Sequence, residues 1–301
     1  MNARSRAIAQ LQLMMLGGAL VGVLAKLALY DVSAFTFVWL QVAIGGALLT
    51  LYTFAWRRER IPPGLGARAW ALLFCIGLLN FSVVRFTLLL SLERLPVNTH
   101  TFLQSFVGIV TIGMSVVLMR ERPSRWQLLG ALLAVVGVRV FFEEVPALQE
   151  RMGVVYLAVA VLGLATTNNL ARRLPILTEG RLSNNVLSCV ALWIGGVPLV
   201  LSALVLEGWP RDLGATSWAI IAANGLVSIA LGLTLFNHFL RTLRSYEASI
   251  LSGSGLIFTA LFAMPILGEY LGLRQVAGIA CMLLGMSLAQ LRPGETGLRR
   301  P

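Results

Sequence analysis

Charge is what this chain has least of. Asp, Glu, Lys and Arg make up 12% of its 301 residues, about half the share a soluble domain carries. Carboxylates are scarcer still, with 13 Asp and Glu against 24 Lys and Arg, and there are only 2 His. No HExxH, GxSxG or Gly-rich phosphate loop occurs, and the few acidic and His residues do not cluster. That pattern supplies no constellation for metal, nucleophilic or acid–base catalysis. The three cysteines, Cys75, Cys189 and Cys281, lie inside apolar runs without metal-type spacing. They read as small buried hydrophobes rather than a disulfide framework. No cofactor and no metal site are expected. The net charge of +11 raises nucleic acid as a partner. The arginines, however, sit in short loops between apolar runs and form no solvated face, which argues against nucleic acid.

What is abundant is apolar sequence: 57% of residues are hydrophobic and the mean hydropathy is +0.82. About 20 apolar residues cross the hydrocarbon core of a bilayer as a helix. That ruler predicts an all-α membrane protein with ten transmembrane helices, at 8–29, 34–56, 69–91, 96–119, 126–142, 153–171, 185–206, 217–239, 246–267 and 275–291. The first of these is long enough to span and lacks a clear cleavage site, so it reads as a retained helix, not a signal peptide. With the N-terminus inside, only Lys26, Arg94, Arg139, Arg151, Arg211 and Arg274 fall on the outer side, and Arg85 lies within a span. All other Lys and Arg are then inside, which places both termini in the cytoplasm.

The chain also repeats itself 148 residues apart. Glu121, Gln127, Gly130 and Gly137 recur as Glu269, Gln275, Gly278 and Gly285, and the register extends back through Trp70 and Trp218, Gly77 and Gly225, and Thr111 and Thr259. Two five-helix halves are therefore expected, 1–148 and 149–301. Five is odd, so the second half enters the membrane from the opposite side. Inverted repeats of this kind place a substrate site between the halves and give a route to alternating access.

Each half closes with Glu-x5-Gln-x2-Gly-x6-Gly, in the contexts Leu118-Met119-Arg120-Glu121-Arg122-Pro123 and Ile266-Leu267-Gly268-Glu269. In this the chain resembles the drug/metabolite transporter superfamily, and within it the EamA-type members, over nearly its whole length. The resemblance implies a multi-pass carrier of the bacterial inner (cytoplasmic) membrane, commonly an exporter of amino acids or other small metabolites. It also implies that the Glu of each half lies between its last two helices. Two family features are absent. The early Trp-Gly pair is replaced by Leu16-Gly17-Gly18-Ala19 and Leu162-Gly163-Leu164-Ala165, and the Arg often found on the second helix is replaced by Gln41.

Several residues are candidates for binding a solute. Arg85 lies about six residues, or about 9 Å, from the outer end of its span. Charge there is costly and no span interior offers a carboxylate, so Arg85 either anchors an anionic group of a substrate or snorkels toward the surface and Glu93. His100, Thr101 and Gln104 share one face of span four and line a wet cavity or bond between helices. Asn80 and Asn224 lie near the middles of spans three and eight, Asn168 and Asn169 in span six, and Ser252 in the small-residue stretch of span nine. Trp39 lies within span two beside Gln41, where an indole can stack on a ring-bearing solute or simply pack. For proton coupling the titratable candidates are His100 and His238; uncoupled, facilitated transport is the simpler expectation.

Other repeated residues read as structural. Gly130, Gly137, Gly278 and Gly285 are spaced to let another helix approach closely, so spans five and ten should lie at the periphery or support an interface such as a homodimer's. Glu121 and Glu269 are placed to cap a helix N-terminus or pair with an Arg. The reading that follows is a carrier exporting amino acids, with a small solute and the lipid bilayer as its partners. Its rivals are an uptake carrier for a vitamin, nucleobase or other metabolite, and an integral membrane enzyme of lipid metabolism.

Overall fold

In the computed structural model, residues 3–119, 124–142, 148–235 and 251–289 are described, and every regular element among them is helical. Counting interrupted helices as one, they are α1 (Ala3–Ala28), α2 (Ala34–Thr50, continuing as the π-helical Leu51–Trp56), α3 (Ala67–Arg94), α4 (Val97–Gln104 and Val107–Met119) and α5 (Arg125–Phe141). After these come α6 (Leu148–Ala171), α7 (Asn184–Leu206), α8 (Ala215–Leu235), α9 (Ser254–Leu267) and α10 (Leu273–Ala289). Among the described residues, 7 helices are long and apolar enough to cross a membrane.

Local chemistry sets the ends. Ser33 and Ser183 each turn a side-chain oxygen back to the third residue on, accepting from the N–H groups of Thr36 and Val186 at 3.0 and 3.2 Å. These are N-caps, each satisfying a donor that the first helical turn leaves free. The repeated Gln residues act at the next pair of starts. Gln127 Oε1 accepts from Ser124 N at 2.9 Å, and Gln275 Oε1 from Gly272 N at 2.9 Å. Helix α3 stops where Leu95 turns extended before Pro96, as the residue before a proline prefers. Helix α9 stops at Gly268, whose φ of 69° is a left-handed cap that a side chain would strain.

Irregularities recur at matching places. The π-helical Leu78–Val84 within α3 corresponds to Gly225–Leu231 within α8. The break in α4 at Ser105 and Phe106 corresponds to the one at Gly253, just before α9. Packing is reciprocal too. A Cβ on Gly137 would stand 2.9 Å from the Gly278 carbonyl oxygen, and one on Gly278 would stand 2.8 Å from that of Gly137. Gly130 and Gly285 meet in the same way, so α5 and α10 cross antiparallel at backbone contact. Gly45 of α2 lies on Gly225 of α8, and Gly195 of α7 on Gly77 of α3.

The main core lies between α2, α3, α7 and α8, where Phe37, Leu73, Phe81, Leu192 and Ile221 are all but inaccessible. A second cluster joins α4, α5, α9 and α10 through Phe102 stacked on Phe141, ring centroids 4.1 Å apart. Outward faces are apolar: α5 alone exposes Leu128, Leu129, Leu132, Val135 and Val136. Water would penalise such a face and lipid does not.

Candidate functional site

Helices α2 and α7 run antiparallel and are tied at both ends. At one end, Glu59, just past α2, accepts from Ser183 Oγ at 2.5 Å and Asn185 Nδ2 at 2.9 Å, at the start of α7. At the other, Glu207, just past α7, accepts from Ser33 Oγ at 3.2 Å and from Thr36 Oγ1, at the start of α2. Each carboxylate thus engages the first turn of the opposite helix, where the helix dipole favours negative charge.

At the Glu59 end a cavity of about 580 Å³ opens between α1, α2, α7 and α8. Gln10, Met14 and Gly17 line it from α1, Tyr52, Arg57 and Glu59 from the end of α2, Ser183, Asn184 and Asn185 from the start of α7, and Val227, Leu231 and Thr234 from α8. Its walls are largely apolar while its rim carries a carboxylate, a guanidinium and two amides. Arg57 Nε lies 3.6 Å from Glu59. A pocket of this size, apolar with a few convergent polar groups, is the usual form of a small-molecule site.

The Glu207 end is closed by bonds. The Lys26 ammonium, buried at 7% exposure, donates to the Leu92 and Glu93 carbonyls at 2.8 and 2.9 Å, satisfying the free C-terminal acceptors of α3. Glu269 accepts from Val97 N at 2.9 Å and Asn98 N at 3.2 Å, capping α4. His100 Nδ1 bonds Ser91 Oγ at 3.2 Å. Trp39 packs edge-on to Trp209, and Trp209 packs on Trp218, with ring centroids 5.9 and 6.2 Å apart.

None of the solute-binding candidates named from sequence lines the large cavity. Gln41 donates to Asn224, and Asn224 donates to the Val21 carbonyl at 2.8 Å, so this pair knits α1, α2 and α8 together. Asn169 donates to the Thr111 and Ala165 carbonyls at 3.1 and 3.0 Å, while its Oδ1 is buried with no partner among the described residues. Asn168 is exposed, 3.5 Å from Thr111 Oγ1. Thr101 bonds back to its own helix at Val97, and Ser252 is half-buried ahead of the Gly253 break. Trp39 is buried, and its Nε1 has no partner among the described residues.

Arg85, Asn80 and Gln104 differ from these. All three are half-buried, and no side-chain hydrogen bond or ion pair reaches them from the described residues. Arg85 shares its helical face with Leu89 and Leu92, both in the central core. Glu121 and His238 lie outside the described residues. Glu59, Glu207, Ser183 and Asn185 are what sequence reasoning passed over. The signal was present: the Ser before each second helix and the Glu after it recur together, as Ser33 with Glu59 and Ser183 with Glu207.

Three comparisons bear on this arrangement. The EamA-like transporter family matches the chain twice, over residues 6–142 and 151–290. An S-adenosylmethionine/S-adenosylhomocysteine transporter of Chlamydia trachomatis serovar L2 is similar at 28% identity over 228 residues, covering 72% of this chain and 68% of that protein. A protein of known crystal structure shares the fold at a TM-score of 0.65 and 16% identity, over 93% of this chain and 97% of the other. With its apolar helices, the chain is a multi-pass membrane protein.

Proposed function

Because the chain belongs to the EamA-like transporter family, we propose that it carries a small amino-acid-type metabolite out of the cytoplasm by alternating access. In this reading ten spans form two inverted five-helix halves, with both termini on the cytoplasmic side of a bacterial inner membrane. The reciprocal glycine crossings, the matched π-helical stretches and the paired carboxylate ties support the two-half architecture. The Lys and Arg distribution supports a cytoplasmic-side position for the Glu59 end and the cavity.

The observation that carries the substrate class is the pairing of Glu59 with Arg57 at the rim of an otherwise apolar cavity. A carboxylate and a guanidinium side by side complement an ammonium and a carboxylate on one carbon. The arginine fork suits the carboxylate, and the amides of Asn184 and Asn185 add hydrogen bonds. Arg85, which no hydrogen bond or ion pair reaches among the described residues, is a second anchor for an anionic group as the solute passes.

A second cargo is favoured by the relative that transports S-adenosylmethionine and S-adenosylhomocysteine. Both molecules join an amino-acid end to a nucleoside. The cavity has room for such a conjugate, and Tyr52 offers a ring face for the base. Counterflow in proteoliposomes separates the two: labelled methionine and labelled S-adenosylmethionine are tested against the same unlabelled pool. Saturable exchange of methionine supports the amino-acid reading, and exchange of S-adenosylmethionine alone supports the conjugate. Exchange of neither by folded protein refutes both.

A further inference from the structure

Glu59 both ties α7 and lines the open cavity. Its counterpart Glu207 ties α2 in the same way, but it is surrounded by the Lys26 bonds to α3, the Glu269 cap on α4 and the tryptophan cluster. That asymmetry has a consequence.

In a carrier of two inverted halves, the second state follows when each half takes the other's conformation. A contact that exists as an equal pair maps onto itself under this exchange and is retained. A contact made by one member of a pair and not by its counterpart is one that changes. The ties at Glu59 and Glu207 form an equal pair. So does the middle of the same helix pair, where Gly46 lies under Leu192 and Gly196 under Val42. Gly17 and Gly163 also meet matching side chains: a Cβ on Gly17 of α1 would stand 3.7 Å from Val227 of α8, and one on Gly163 of α6 would stand 3.6 Å from Leu79 of α3, while the closer approach of Val84 to Gly163 falls where α8 carries Gly232. Gly17 and Val227 both line the cavity. What differs is the surroundings of the two ties: a cavity lies between α1, α2, α7 and α8 beside Glu59, whereas at the Glu207 end Lys26 of α1 bonds the end of α3 and Glu269 caps α4.

We infer that Glu207 is a second solute-binding carboxylate, used from the opposite face of the membrane, and that α2 and α7 stay tied to each other in both states. The inference rests on the alternating-access reading and names a residue for it. When α6 parts from α3, the counterpart of the present cavity opens at the other end, and Glu207 stands on its rim as Glu59 stands now. Both carboxylates select the same chemistry, a cationic amine or related organic cation. The other rim groups differ. The counterparts of Asn185 and Thr234 are Phe35 and Phe86, which pack edge-on at 5.4 Å. The outward rim is thus less polar, and binding there depends more on Glu207 alone.

Labelling of single cysteines tests this without knowledge of the solute. In a background with Cys75, Cys189 and Cys281 replaced by alanine, Thr234→Cys reports the present cavity and Phe86→Cys its counterpart. The probes are a cationic and an anionic thiosulfonate of equal size. Both sites should react, and the cationic reagent should be faster by about tenfold, the scale of one charge-assisted contact. Glu59→Gln should remove that preference at position 234 only, and Glu207→Gln at position 86 only. Glu207→Asp, which keeps the charge, should preserve it; this separates recognition from a purely structural tie and covers any loss of folded Gln variant.

A short bifunctional cross-link between cysteines placed at Ala34 and Leu206 should leave both labelling reactions intact. Failure of Phe86→Cys to react, a preference there indifferent to Glu207, or loss of either reaction on cross-linking would each overturn the inference. Flux measurements judge the transport reading independently of these outcomes.

Discussion

The two ends of the α2–α7 pair have the same tie and different surroundings. At each, a carboxylate beyond one helix holds the N-capped turn of the other. Around Glu59 the tie stands in the wall of a cavity, with Arg57 and two amides exposed to a solute. Around Glu207 the bundle is sealed by the Lys26 bonds to α3, the Glu269 cap on α4 and the tryptophan cluster. One sequence pattern, duplicated, thus supplies the same tie at both ends, and the residues around each tie decide what that end does. On the alternating-access reading proposed above, the difference teaches that contacts present at both ends are kept through the cycle and that contacts present at one end are the ones that change.

The largest effect should come from breaking a symmetric contact. A leucine in place of Gly130 would strike the Gly285 carbonyl and the Ala289 backbone, where neither side can yield. Overpacking at two facing backbones should cost about 3 kcal/mol, read as a marked fall in the melting temperature of purified protein. Gly17→Ala, placed where only Val227 stands near, should leave melting almost unchanged. Equal losses from the two variants would dissolve the distinction between frame and opening.

Next comes the seal. Lys26→Met keeps the length of the side chain but removes two charge-assisted bonds to the end of α3, each worth about 1.5–3 kcal/mol. The Glu207 end should then open more readily, measured as faster alkylation of a cysteine at Phe86. Unchanged alkylation would mean that the tryptophan cluster alone closes that end.

Much of this was legible in advance and some could not be. The helical membrane character and the kinship of the chain follow from apolar run lengths and from the repeated Glu-x5-Gln-x2-Gly-x6-Gly, because both are local in sequence. Which surfaces meet is not local. Lys26 reads from sequence as an outer-loop charge, yet it is buried because α3 ends beside it with carbonyls unsatisfied. Glu269 precedes α10 but caps α4, a helix 172 positions away. Gln41 and Asn224, each a plausible ligand group alone, satisfy one another across α2 and α8. Arg57 counted only among the cytoplasmic-side arginines and Glu59 was passed over, since nothing in their spacing shows that a cavity opens beside them.

Smaller effects sharpen the site itself. Arg85→Gln should weaken transport of carboxylate-bearing solutes by about tenfold, and Arg85→Lys should weaken it less, because it keeps the charge but loses the planar fork. Proteoliposome flux with equal amounts of reconstituted protein checks both. Normal transport by Arg85→Gln would return that residue to a snorkelling role. Smallest of all, Gln275→Ala removes one capping bond to Gly272 N and should cost about 0.5–1 kcal/mol, seen as a shift of a few degrees in melting with no change in flux.

The opposite orientation of the two halves underlies the whole account, and sidedness tests it most directly. Tyr270, next to Glu269 and 74% exposed, stands at the Glu207 end; Arg58, next to Glu59, stands at the cavity end. Single cysteines at these two positions are treated with a membrane-impermeant maleimide in intact cells and again after permeabilisation. The account predicts that the cysteine at 270 labels in intact cells and the one at 58 only after permeabilisation. Labelling of both positions from the same side, or of 58 alone in intact cells, would contradict it.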